Sequence, residues 1–152
     1  MRWVVAVVLA APLLAGCTGG PPGSDGAVGS VELTAFQDDY YCDGHQEVVA
    51  LLQAKDHGGR ATVFNGSIAL DLERKPLAGF GAGKVDSWDF NVTPENFTNG
   101  YFFYLMPERD FQTGASYHLT ATVRVAGQAF SATADFAYRG AFALARGTCA
   151  AG

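Results

Sequence analysis

Two neighbouring stretches, residues 117–125 and 130–138, alternate strictly between apolar residues and polar or small ones. Successive side chains of a β-strand point to opposite faces, so each stretch has one face that can pack on a core. Gly127 lies between the stretches and predicts a tight turn. A slip of one residue would expose either apolar face, so the register of this hairpin is strongly specified. The alternating residues are Tyr117, Leu119, Ala121, Val123 and Val125, and then Phe130, Ala132, Ala134, Phe136 and Tyr138.

The same period of two predicts strands earlier in the chain at 31–36, 67–73 and 84–92. Two more strands are predicted, at 47–56 from its β-forming residues and at 101–106 from an aromatic run that ends at Pro107. A helix over 47–56 is the alternative, because that run contains good helix formers. Turn sequences at 56–60, at Asn65-Gly66 and at the glycine-rich 79–83 separate the strands. Seven short strands joined by turns predict an all-β fold, an antiparallel sandwich of about seven strands.

The first residues have the layout of an export signal. Arg2 is basic, residues 3–14 carry no charge, and small residues precede Cys17. The apolar stretch is shorter than the roughly 20 residues that a bilayer-spanning helix needs. A cleaved signal peptide and a short anchor helix both fit this pattern.

The tetrapeptide Leu14-Ala15-Gly16-Cys17 resembles the lipobox of prokaryotic membrane lipoproteins, bacterial or archaeal. This resemblance implies cleavage before Cys17, lipidation of Cys17, and a mature chain anchored to the membrane outside the cytoplasm. We therefore predict a signal peptide over 1–16, a flexible linker rich in Gly, Pro and Ser over 17–30, and one domain over 31–152.

With Cys17 assigned to lipid, two cysteines remain, Cys42 and Cys149. An even pair in an exported chain predicts one disulfide, which would hold the C-terminal tail to the domain. Two free buried thiols are the alternative.

Two further segments resemble immunoglobulin-like domains. The run from Asp110 to Val123 contains Gly114-Ala-Ser-Tyr117, similar to the Gly-x-x-Tyr turn before the penultimate strand, whose tyrosine forms a "tyrosine corner". Asp56-His-Gly-Gly-Arg followed by Gly66-Ser-Ile-Ala-Leu is similar to a hairpin of bacterial and macroglobulin-type immunoglobulin-like modules. Leu119 or Ala121 stands where an antibody domain has a cysteine, so the resemblance implies the immunoglobulin-like fold and no activity.

Aromatic residues indicate a candidate binding surface, because exposed aromatic side chains mark contacts with proteins or sugars. The alternative is that the second sheet and the C-terminal tail cover them. We expect a lipid-anchored, non-catalytic module for binding or assembly at the cell surface, with an envelope protein or polysaccharide as partner. The candidate binding residues are Tyr40, Tyr41, Trp88, Tyr101 and Phe103.

A second expectation is an accessory lipoprotein that binds a solute or a metal ion. Its candidates are an acidic group (Asp38, Asp39, Asp43 and Glu47) for calcium and the pair Cys42 and His45 for a softer metal. Neither group supplies a complete ligand set, so we predict no metal site and no cofactor. No Gly-x-Ser-x-Gly motif or other nucleophile motif occurs, so we predict no enzyme activity.

The charge balance bears on the partner. Fifteen acidic residues against ten basic ones give a net charge of −5, and no basic patch stands out, which argues against nucleic acid. Three Asn-x-Ser/Thr sequons, at Asn65, Asn91 and Asn96, are candidate glycosylation sites of a surface protein. The sequence leaves the oligomeric state open.

Overall fold

A computed structural model describes residues 27–38, 47–77, 79 and 81–140 of the chain. Within these residues the secondary structure consists of β-strands and two short 3-10 turns, Pro94–Asn96 and Glu108–Asp110. Seven strands are at least six residues long, as the sequence predicts, and two have only two residues. The strands are β1 (Val28–Asp38), β2 (Glu47–Asp56), β3 (Ala61–Thr62), β4 (Gly66–Arg74), β5 (Gly83–Val92), β6 (Phe97–Thr98), β7 (Tyr101–Met106), β8 (Ser116–Val125) and β9 (Gln128–Ala137).

The strands form two antiparallel sheets. Sheet 1 has the order β1-β2-β7-β6, with β3 also paired to β2, and sheet 2 has the order β5-β4-β8-β9. In the lettering of immunoglobulin domains, β1, β2 and β7 take the places of strands A, B and E, while β4, β8 and β9 take those of C, F and G. The predicted fold class, an antiparallel sandwich, is confirmed.

The inner faces of the two sheets form the core. On β4, Ile68, Leu70 and Leu72 are fully buried, and they lie beside inner residues of β8 in the same sheet. The alternation in 117–125 is confirmed, because its apolar side is buried from Tyr117 to Val123 and partly buried at Val125, while its polar side is not buried. The residues that complete the centre of the core are Val48, Ala50 and Leu52 from sheet 1 and Leu119, Ala121 and Val123 from sheet 2.

The observed bounds of β2 agree with the prediction, whereas those of β1 do not. Strand β2 spans Glu47–Asp56, the predicted range, so the alternative helix does not form. Strand β1 begins at Val28, three residues before the predicted start of the domain, and the Val28 side chain is buried. The last three residues of the predicted linker 17–30 are therefore strand, while 1–26 and the tail 141–152 lie outside the described residues.

The predicted tight turn at Asn65-Gly66 is wrong. At this point the chain passes from β3 in sheet 1 to β4 in sheet 2, and neither residue has a positive φ. A Cβ on Gly66 would lie 2.2 Å from the Arg124 carbonyl oxygen, so glycine is required here by the close approach of β8. Positive φ angles occur in pairs at Asn99-Gly100 and Ala126-Gly127, which is the pattern of the primed turns of hairpins.

Tyr117 forms the predicted tyrosine corner. Its side chain is fully buried, and its hydroxyl accepts a hydrogen bond of 2.6 Å from the Gln112 backbone N–H. Its ring stacks on Phe136 and meets Phe111 edge to face. The contact ties the chain that follows β7 to the start of β8.

The side edges of the two sheets are joined by Gln37. Its amide nitrogen donates to the Gly140 carbonyl at 2.9 Å, and its amide oxygen accepts from the Arg139 N–H at 2.9 Å. The end of β1 therefore lies beside the chain that follows β9.

Replacing Tyr117 by Phe should destabilise the domain by about 1–3 kcal/mol, because the Gln112 N–H would lose its acceptor in a partly buried place. Urea unfolding of the two proteins measures this difference. Tyr101→Phe is the control, since no described residue bonds that hydroxyl, and it should change stability by less than about 0.5 kcal/mol. Equal losses in the two variants would contradict the role given to the corner.

Candidate functional site

The outer face of sheet 1 carries large apolar side chains that the described chain leaves uncovered. We call Phe36, Val49, Leu51, Phe103 and Leu105 the apolar face. Three of them are well exposed, Phe36 at 40%, Phe103 at 49% and Leu105 at 50%.

Strand pairing places these residues side by side. Phe36 lies opposite Val49, which lies opposite Leu105, and Leu51 lies opposite Phe103. Val49 is buried although it belongs to the outer face, which fits its place between two larger side chains. The exposed part amounts to a few hundred Å², the size of the patches that are often functional on single domains.

The local sequence explains why both sides of these strands are apolar. Residues 48–52 of β2 and 101–106 of β7 are continuous apolar runs, and the strand pleat divides each run between two faces. Runs of this kind are typical of strands covered on both sides. The inner half enters the core, with Phe102 and Met106 buried, and the outer half forms the apolar face.

The outer face changes character along the strands. Towards Val28 it is polar, with Gln53 between Glu32 and Tyr101 and an ion pair between Lys55 and Glu32. Towards Asp38 it is apolar. Phe36 lies eight residues along β1 from Val28, a distance of about 26 Å.

The structure separates the predicted binding residues. Tyr101 and Phe103 lie on the outer face of β7, with ring centroids 6.4 Å apart. Trp88 lies on the inner side of β5, where its ring contacts Tyr104 at 5.2 Å, so it is part of the packing between the sheets. Tyr40 and Tyr41 lie outside the described residues.

Sequence reasoning missed Phe36, Leu51 and Leu105. Phe36 follows Ala35 and so breaks the alternation of 31–35, which is a signal for an apolar outer position. That β1, β2 and β7 are neighbours is not visible in any local pattern, and only this pairing joins the residues into one face.

A second feature lies at the Asp38 end, between the sheets. Asp86 on edge strand β5 has the inward orientation of Trp88 and Phe90, and it meets Asp110 and Tyr104 there. Burial, and then the charge of Asp86, raise the pKa of Asp110 above its ordinary value. No donor among the described residues reaches the buried Asp110 Oδ2 atom. Asp86 and Asp110 can share a hydrogen bond only when one of the two carboxyl groups is protonated. An inward charge on an edge strand also discourages pairing with another chain.

The carboxylates in the turns after β5 and β7 do not form one group that could act in acid–base chemistry. Glu95 lies in the 3-10 turn after β5, and Glu108 and Asp110 lie in the turn after β7 at the other end of the sandwich. In the described part of the chain, no three His, Asp or Glu side chains are arranged to hold a metal ion. Asp39, Asp43, His45, Cys42 and Cys149 are outside that part, and of Asp38 and Glu47 only the backbone is described.

The three sequons lie at the Val28 end of the sandwich. Asn65 precedes β4, Asn91 is on the outer side of β5 opposite Ser67, and both are exposed. The Asn96 amide oxygen accepts hydrogen bonds from the Thr93 N–H at 2.8 Å and its hydroxyl at 3.2 Å. Asn65 and Asn91 are therefore open, whereas Asn96 takes part in a turn.

Comparison of the chain with known protein families, with characterised proteins and with solved structures finds no match. No helix of the described residues is long and apolar enough to cross a membrane.

Replacing Asp110 by Asn should raise stability at pH 7. The folded-state pKa of Asp110 is raised, so this group favours folding fully below its unfolded pKa of about 3.9, and the contribution is lost as pH rises through the folded value. Asparagine does not ionise, so the variant does not lose this stability as pH rises, and its amide N–H can donate a hydrogen bond to Asp86. Thermal unfolding between pH 3 and 8 should show a flatter pH profile for the variant.

Asp135→Asn is the matched control, because the pKa of Asp135 is shifted in the opposite direction from that of Asp110. Hydrogen bonds from Lys75 and His118 lower the pKa of Asp135, so it stabilises the fold above its unfolded pKa and the effect is lost as pH falls. Because this carboxylate is exposed, its effect should be small. If the stability of Asp110→Asn changed with pH in parallel with that of wild type, the raised pKa of Asp110 would be contradicted.

Proposed function

We propose that this chain is a lipid-anchored module that works outside the cytoplasm and binds a partner of the cell envelope through the apolar face, without catalysis. The observation that carries this proposal is the exposure of Phe36, Phe103 and Leu105 on three adjacent strands. Exposed apolar patches of this size are typical of interaction sites.

The chemistry of the face favours a protein partner over a polysaccharide. Its five side chains carry no hydrogen-bonding group, whereas sugars need polar groups to fix their hydroxyls. Apolar side chains in the centre with polar residues around them match the layout of protein interfaces. Here Glu32, Gln53 and Lys55 supply polar residues on one side.

The position of the face suits a tethered domain. The proposed lipid anchor, Cys17, is 11 residues before Val28, and a flexible linker of that length has an r.m.s. reach of about 18 Å. The chain enters sheet 1 at Val28, and the apolar residues lie towards the opposite end of β1. The tether and the binding face are therefore at different ends of the domain.

The joined edges support the proposed disulfide. Gln37 holds the end of β1 to Arg139 and Gly140. Cys42 follows Asp38 by four residues and Cys149 follows Gly140 by nine. The two segments that carry the cysteines therefore begin at neighbouring residues of the domain. A disulfide here would close a loop of over 100 residues, worth up to about 4.7 kcal/mol in the chain-entropy model.

Replacing Cys17 by Ser should release or mislocalise the protein without unfolding it, because Cys17 precedes the first described strand. Fractionation of cells, followed by mass spectrometry of the N-terminal peptide for acyl groups, measures this. Wild-type protein that lacks acyl groups, or a variant whose domain unfolds, would contradict the lipid anchor.

Replacing Phe103 by Glu should abolish partner binding, because a charge would have to be buried without a partner at the centre of the contact. Crosslinking in cells, followed by affinity capture and mass spectrometry, identifies proteins bound to wild type and lost at least about tenfold in the variant. Thr133→Glu places the same charge on the outer side of sheet 2 and should keep the partner. A partner retained by both variants would contradict this site, and a wild-type protein that captures none would contradict the function.

A further inference from the structure

An open depression lies on sheet 2 at the Asp38 end, where β4 ends and β5 begins. Its volume is about 430 Å³, within the range of small-ligand sites. It does not include the apolar face, so ligand binding in the depression is independent of the proposed partner binding. The residues that line it are Glu73, Arg74, Lys75, Pro76, Ala82, Gly83, Lys84 and His118.

Arg74 is held in place by neutral groups. Its Nε donates to the Gly81 carbonyl at 2.8 Å, and its Nη1 donates to Gln112 Oε1 at 2.8 Å. No described carboxylate lies within ion-pair distance of it, and the other N–H groups of the guanidinium have no acceptor among the described residues. Within the described chain its charge is thus unpaired and its orientation is set in advance, which lowers the entropy cost of binding an oxyanion.

Two lysines face the same depression. Lys75 pairs with Asp135 at 2.8 Å and Lys84 pairs with Asp71 at 3.0 Å, and neither carboxylate lines the depression. Asp135 and Asp71 therefore hold the two ammonium groups from positions outside the depression, while Lys75 and Lys84 form part of its lining. An ammonium group has three donors, so a single carboxylate does not use all of them.

His118 completes this side of the depression. Its Nδ1 lies 2.6 Å from Asp135 Oδ1, and its Nε2 has no described partner. The bonds from Lys75 and His118 lower the pKa of Asp135, which keeps that carboxylate ionised and able to orient both groups.

Glu73 is the single acid among the lining residues, against Arg74, Lys75 and Lys84. Because Asp135 and Asp71 balance the charges of Lys75 and Lys84, the positive charge of the lining that no described carboxylate pairs with is that of Arg74. Charges elsewhere on the surface are largely screened beyond about 8 Å at physiological salt, so the local residues decide what binds.

We propose that this depression is a binding site for a small ligand with a carboxylate or phosphate group, and that Arg74 is its principal contact. Planar guanidinium donors match both groups, and charge-assisted hydrogen bonds are the stronger class. Lys84 and Lys75, whose charges are paired with Asp71 and Asp135, add N–H donors at the rim, and Glu73 weakens the attraction.

NMR titration of the ¹⁵N-labelled full chain in detergent, with inorganic phosphate and with acetate as probes, tests this. Saturable shifts should appear at the amides of residues 73–75 and 83–84 and at the His118 ring for at least one probe, and the tighter probe identifies the ligand class. Absence of saturable binding for both probes would overturn the proposal.

Three variants separate a site from general charge attraction. Arg74→Gln should weaken binding at least about tenfold, the size of one charge-assisted hydrogen bond. Glu73→Gln should strengthen it, while Arg60→Gln, in the exposed turn at the Val28 end, should leave it unchanged. Equal weakening by Arg74→Gln and Arg60→Gln would overturn the proposal, and Lys84→Gln replaces Arg74→Gln if that variant does not fold.

Discussion

The burial of one face of each sheet against the other is the constraint on which this domain depends. Leu70 and Ala121 from sheet 2 and Leu52 from sheet 1 are almost inaccessible to solvent and lie in one continuous core. Towards edge strand β5 the layer between the sheets becomes aromatic, with Phe90 in contact with Phe102 and Tyr104. Because the inner faces supply the burial that drives folding, the outer faces are free to differ in chemistry.

Polar contacts act mainly at one end of the sandwich. The Tyr117 hydroxyl fixes the entry to β8, and the Gln37 amide joins the edges of the two sheets. Asp110 meets Asp86 at the same end, where burial raises the pKa of Asp110. This end therefore combines hydrogen bonds that fix the chain with a carboxyl group in an unfavourable environment. Proteins often depart from the most stable arrangement at functional sites.

The two outer faces present different surfaces. Sheet 1 exposes aliphatic and aromatic side chains, whereas sheet 2 exposes residues such as Ser131, Thr133 and Asp135. The apolar face and the depression at Arg74 both lie towards the Asp38 end, away from Val28, where the proposed tether enters. A tethered module arranged in this way would present two chemically distinct surfaces to the space beyond the membrane.

The sequence alone determined the elements and their faces. Alternation is a property of the single strand, so the inward side of 117–125 could be predicted from local residues. The strand β2 is favoured by its β-forming residues, and the corner at Tyr117 by the resemblance to immunoglobulin-like domains. Only the tertiary structure decided that Phe103 lies open beside Leu51 while Trp88 lies inside, since each outcome depends on which strands become neighbours. The meeting of Asp86 with Asp110 has the same origin. Such pairings join residues far apart in the chain, and no local pattern contains them.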